Sequence, residues 1–128
     1  MKWVYGIRFR DVKQFIEYVS ISSEELLLYF VGKVAIIYNI KSQRQKHYTG
    51  HTQQLICIAV DGTLCATGEY GPNPEIRIWD FRTLETIQIL RGAHVNGVHL
   101  VKFIPGGLLV SCGCQEESPV IIFDIETG

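Results

Sequence analysis

Between His51 and Arg91 the chain alternates short apolar runs with turn chemistry. Leu55 to Val60 is apolar, Asp61-Gly62 is a turn pair, and Thr63 to Gly68 is mostly apolar again. A loop with Gly71, Pro72 and Pro74 follows, then Glu75 to Phe81 and Leu84 to Leu90. Runs this short, bounded by Gly, Pro and Asp, predict four strands rather than helices. Proline cannot sit inside a central strand, so Glu69 to Pro74 is read as a loop.

The alternation extends on both sides. Leu26 to Val31 and Val34 to Ile40 flank Gly32-Lys33 and predict two strands, with Ser22 to Glu25 as a turn before them. Val98 to Ile104 and Leu108 to Cys112 flank Pro105-Gly106-Gly107, and Val120 to Ile125 follows a loop from Gln115 to Pro119. Val12 to Ser20 fits one face of a helix or a strand. Ile7 to Arg10 alternates like a half-exposed strand, and the bulk of Trp3 and Tyr5 predicts that they dock onto something apolar. Lys41 to Lys46 is polar and basic and carries no strand signal.

These runs repeat. Tyr38-Asn39, Trp79-Asp80 and Phe123-Asp124 are spaced 41 and 44 positions apart, and His51 and His94 are 43 apart. Thr67 lies 16 positions after His51, and Ser111 lies 17 after His94. Three landmarks in register at one period mark an internal repeat.

The repeat resembles the WD-repeat family, whose units run from a Gly-His start through four antiparallel strands to a Trp-Asp end. The resemblance implies an all-β fold, a partial β-propeller of about two and a half four-stranded blades in an incomplete ring. It also implies a hydrogen-bonded set of His, Ser/Thr, Asp and Trp. His51, Thr67 and Trp79 match it in one unit, with no clear Asp because the Pro72/Pro74 loop occupies that place. His94 and Ser111 match in the next, where Phe123 replaces Trp. These histidines are therefore read as structural and not as general bases, which would need a nucleophile and an orienting acid in a pocket.

Ahead of the repeats, Trp3-Val4-Tyr5-Gly6, Arg8 and Arg10-Asp11 resemble the HELP motif. That motif opens the propeller region of the echinoderm microtubule-associated protein-like (EMAP-like) family. Tyr48-Thr49-Gly50-His51, Ala66-Thr67-Gly68 and Ile76-Arg77-Ile78-Trp79-Asp80 follow in the same order. The resemblance divides the chain into a HELP-like motif with a lead-in strand (1–24), a degenerate blade (25–50), the best-formed blade (51–92) and a shortened one (93–128). It implies a non-enzymatic scaffold that associates with tubulin or microtubules and meets other proteins through propeller loops. The implied place is the cytoplasm and cytoskeleton, with the ciliary axoneme as a narrower setting. The alternative is a WD-repeat scaffold or adaptor of a non-cytoskeletal complex.

Composition changes little in this picture. Of 128 residues, 47% are hydrophobic and 20% charged, which suits a folded domain. The net charge of −1 hides an asymmetry. Residues 1–50 hold eight Lys/Arg and four Asp/Glu, whereas residues 51–128 hold four and nine. Uneven surface charge accounts for this. The sharper reading is an acidic partner for the first third, with Lys41, Arg44 and Lys46 as contacts in one loop. No apolar run is long enough to cross a bilayer as a helix, and no secretion signal, phosphate loop or paired-carboxylate motif is present. Neither a nucleic acid nor a membrane is expected as a partner, and no catalytic, cofactor or metal residues are assigned.

Four cysteines remain. If Val60 pairs with Thr63 across Asp61-Gly62, Cys57 and Cys65 fall on opposite faces and cannot bridge. Cys112 and Cys114 are too close in sequence for a strand disulfide and lack Cys-x-x-Cys spacing. Reduced, mostly buried thiols are expected, and a redox or metal site at Cys112 and Cys114 is the third-ranked function. Propellers have about 4–8 blades, so the chain is expected to be part of a longer protein. On its own it is expected to associate through open apolar faces.

Overall fold

The computed structural model describes residues 16–92, 94, 96–113 and 120–125. The HELP-like stretch from Trp3 to Asp11, Cys114 and the Glu116-Glu117 pair lie outside the described residues.

Eleven strands form three antiparallel sheets among the described residues. The first sheet holds β1 (Ile16–Ile21), β2 (Glu24–Val31), β3 (Val34–Asn39) and β4 (Gln45–Tyr48). The second holds β5 (Leu55–Asp61), β6 (Leu64–Glu69), β7 (Ile76–Asp80) and β8 (Thr86–Leu90). The third holds β9 (Val98–Ile104), β10 (Leu108–Gly113) and β11 (Val120–Asp124). Within each sheet the strands neighbour one another in chain order, as short hairpin connections dictate.

Several boundaries differ from the sequence expectation. Ile16–Ile21 is a strand of the first sheet, not a lead-in outside it. Glu24 and Glu25 already belong to β2. The turn narrows to Ser22-Ser23, whose φ values of 50° and 67° place both in the left-handed region that tight hairpins demand. Lys46 lies on β4 rather than in a loop with Lys41 and Arg44. That strand escaped the hydrophobic pattern because Gln45, Lys46 and His47 are all exposed and only Tyr48 is buried.

The hairpin at Asp61 is offset by one residue from expectation. Asp61 pairs with Leu64, Val60 with Cys65 and Ile58 with Thr67. The turn moves by one residue, so each partner shifts by two, which preserves the faces and keeps the two thiols on opposite sides of the sheet. Cys65 packs with Trp79 and Ile58, and Cys57 with Ile76 and Ile78.

That division describes the whole core. Leu26, Leu28, Phe30, Ala35 and Ile37 of the first sheet meet Ile58, Cys65 and Trp79 of the second. The opposite face of the second sheet, with Ala59, Ala66 and Ile78, meets Val98, Val101 and Leu109 of the third. The second sheet is therefore covered on both faces, and side chains of β5, β6 and β7 alternate between two cores. Gly68 marks the closest approach to the third sheet. A Cβ there would stand 2.7 Å from Cys57 Sγ and 2.9 Å from Val98 Cβ.

Backbone bonds also run between sheets. Leu55 N donates to Gly32 O at 2.7 Å, and Gly71 N donates to Asn96 O at 3.0 Å. No helix among the described residues is long and apolar enough to cross a membrane.

Candidate functional site

The first candidate is the polar set at the edge of the second sheet. Thr67 on β6 and Trp79 on β7 share the face turned to the first sheet, and His51 precedes β5. All three are buried. Trp79 Nε1 donates to Thr67 Oγ1 at 3.1 Å. His51 Nε2 bonds the same hydroxyl, and His51 Nδ1 meets Glu69 Oε2 at 2.7 Å. The indole can only donate, so the Thr67 oxygen accepts there and gives its proton to His51 Nε2. The imidazole then carries its hydrogen on Nδ1 and donates it to Glu69. One neutral tautomer satisfies every member, an assignment made from donor and acceptor logic.

Glu69 fills the acidic place that the sequence pattern left vacant. It sits at the end of β6, two positions beyond Thr67 and thus on the same face. Its carboxylate is fully buried and also accepts from Gln53 Nε2 at 3.2 Å and Glu75 N at 3.0 Å. A buried carboxylate persists only with such partners. The signal is Thr67-x-Glu69, a strand spacing masked by the Pro72/Pro74 loop that follows it.

Tyr48 is the other residue missed. It stacks on Trp79 with centroids 4.2 Å apart and an interplanar angle of 1°, and its hydroxyl bonds Thr86 Oγ1. It thereby joins the last strand of the first sheet to the second. Burial lowers the His51 imidazole below its ordinary 6.5, against the opposing pull of the Glu69 hydrogen bond. The hydroxyl beside it, Thr67 Oγ1, is fully buried and already accepts from Trp79 Nε1, which leaves no opening for a substrate.

In the third sheet His94 Nε2 meets Ser111 Oγ at 2.7 Å. Gly113 stands where Glu69 would be, and Phe123 pairs with Leu109 as Trp79 pairs with Cys65. Burial lowers His94 as well. His47 is exposed and near Gln45, and His99 is exposed. No group of three metal-ligating side chains exists among the described residues. Cys112 is half-buried, and burial pushes the Cys65 thiol well up.

The basic residues form the second candidate. Lys41 Nζ donates to Ser23 O at 3.2 Å, and Lys46 Nζ donates to Arg82 O at 3.3 Å. Arg44 and Lys46 line a cavity of about 330 Å³ together with Arg82, which sequence reading did not single out. Lys41 is not part of its lining.

This architecture has counterparts among known proteins. No family model matches the chain. It is 36% identical over 100 residues to Echinoderm microtubule-associated protein-like 2 of Homo sapiens, covering 70% of this chain and 15% of that protein. Over this segment the chain is homologous to the EMAP-like proteins. The 77 kDa echinoderm microtubule-associated protein of Strongylocentrotus purpuratus is 38% identical over 98 residues, covering 70% of this chain and 14% of the relative. Mouse Echinoderm microtubule-associated protein-like 1 is 35% identical over 100 residues, again covering 70% of this chain, and 12% of its own length. The chain thus spans a small fraction of each EMAP-like relative. In structure it matches a chain of the Crystal Structure of Mitotic Checkpoint Complex with a TM-score of 0.75 and 13% identity, over 94% of this chain and 37% of that one. The fold is therefore all-β and of the WD-type propeller kind, with three sheets and an unclosed ring.

Proposed function

We propose that this segment is part of a microtubule-associated propeller scaffold of the cytoskeleton, which acts by binding and catalyses no reaction. The homology to EMAP-like 2 supports this reading most directly. The buried polar set is consistent with this reading, since it ties β6 and β7 to the segment before β5 and leaves loops and rims for contact. His51, Thr67, Trp79, His94 and Ser111 are proposed as structural residues. Lys41, Arg44 and Lys46 are proposed contacts for an acidic surface, because cations without an ion-pair partner among the described residues attract carboxylates. An axonemal location and a HELP motif at residues 1–24 are narrower proposals that rest on the sequence resemblance alone.

Cosedimentation of the full-length protein with microtubules tests this reading. Pelleting that weakens on reversal of Lys41, Arg44 and Lys46 to Glu supports both the partner and the contact. Unchanged pelleting removes those residues from the contact. Failure of the full-length protein to pellet at any salt concentration favours a scaffold of another complex.

A further inference from the structure

The cavity bearing Arg44 and Arg82 lies where the first and second sheets meet. Arg44 and Lys46 come from the first sheet and its β3–β4 connection, and Arg82 comes from the turn after β7. The floor is apolar, built from Leu26, Ile37 and Phe81, with half-buried Ile21 beside them. Asn39 and Ser42 add polar edges. Among the described residues Glu24 is the one carboxylate in the lining, against three cations.

The cations are not used internally. Arg44, Lys46 and Arg82 form no ion pair among the described residues. The Lys46 ammonium is instead held at the rim by the Arg82 carbonyl. Asp80, the nearest acid in sequence to Arg82, turns its carboxylate to the backbone, accepting from Arg82 N at 2.7 Å and Thr83 N at 3.3 Å. Two guanidinium forks supplied by different sheets therefore flank one apolar-floored recess. Guanidinium groups pair with planar carboxylates in a bidentate manner, and a recess near 300 Å³ is at the lower end of ligand-binding size.

We propose that this recess binds a short acidic peptide segment of a protein partner, with one aliphatic side chain seated in the recess and flanking carboxylates on Arg44 and Arg82. Charge complementarity selects the acidic partner. The apolar floor selects a peptide over bare phosphate. The proposal rests on the propeller fold and goes beyond the scaffold reading, because it does not require the partner to be tubulin.

The test is fluorescence anisotropy of the full-length protein with a fluorescein-labelled peptide of six glutamates around a central leucine. A second peptide carries serine in place of leucine. Saturable binding of the leucine peptide is expected, weakened at least tenfold by Arg44→Glu/Arg82→Glu and severalfold by the serine peptide. Lys102→Glu, an exposed cation on the third sheet, is expected to leave it unchanged. Equal loss with Lys102→Glu would overturn the proposal by reducing it to general charge attraction. So would binding that the Arg pair does not affect. Equal affinity for both peptides would overturn the seated side chain. Displacement by inorganic phosphate at equimolar concentration, or preference for phosphatidylserine vesicles, would also overturn it. Because both arginines lie on exposed segments, an unchanged melting profile certifies that the variant is folded. Microtubule pelleting of the same variant separates the two readings: retained pelleting with lost peptide binding would leave the scaffold reading intact.

Discussion

The second and third sheets carry the same device at different stages of completeness. In the second, Trp79, Thr67, His51 and Glu69 form an unbroken chain of donors and acceptors. In the third, His94 bonds Ser111, while Phe123 brings no donor to the place of Trp79 and Gly113 no side chain to the place of Glu69. The second sheet is enclosed between two neighbours, whereas Val120 and Ile122 on the third are each 61% exposed. Where both faces are dry, every polar atom needs a partner. The His94–Ser111 pair is itself buried, at 5% and 0% exposure, so the two sites differ in the residues that surround the pair rather than in its burial.

Truncation should expose that difference most strongly. Trp79→Ala removes a fully buried ring and the stacking surface of Tyr48, and it should cost about 3–5 kcal/mol. Phe123→Ala, at a half-buried position, should cost about half as much by the same reasoning. Chemical denaturation of both variants measures the gap, and equal losses would erase the distinction between the two sheets. Glu69→Ala comes next. It leaves His51 Nδ1 and the Glu75 amide without their acceptor, while Gln53 Nε2 keeps Pro72 O, for a loss of about 2–3 kcal/mol. A variant as stable as the parent would mean that water replaces the carboxylate.

Gly68→Ala probes the junction between the sheets rather than either site. Its new methyl must displace Cys57 Sγ or Val98, at about 1–3 kcal/mol. Faster amide exchange in β6 and β9 together is the expected signature, and an effect confined to β6 would deny the coupling. The smallest effect is that of pH. His51 and His94 are both held below 6.5, so the folded state resists protons that the unfolded chain accepts. Stability should be fully present above about pH 6.5 and fall as pH drops below it. Replacing His94 with Gln should remove part of the slope. A flat profile from pH 7 to 5 would contradict the lowered values.

Most of the strand order was legible, because apolar runs as short as Leu55 to Val60 or Leu108 to Cys112, bounded by turn residues, are too brief for helices. His51, Thr67 and Trp79 were legible from their common spacing, and the structure brings them together. Three things were not. β4 carries its single buried residue, Tyr48, at one end, so no apolar alternation announces it. Glu69 was hidden by its position next to a loop, where charge ordinarily means solvent. Arg82 belongs with Arg44 only through the contact of two sheets, 38 positions apart in sequence, and no local pattern encodes such a meeting.

The bond from Leu55 N to Gly32 O has a practical consequence for anyone wishing to engineer this chain. Gly32-Lys33 looks like a convenient exposed hairpin tip, with a φ of 58° at Gly32 and open space around it. It is nevertheless a suture between neighbouring blades. A tag or reporter inserted there would leave its own hairpin paired and still pull the first blade away from the second. The same cargo would be better carried at a tip that holds only its own sheet.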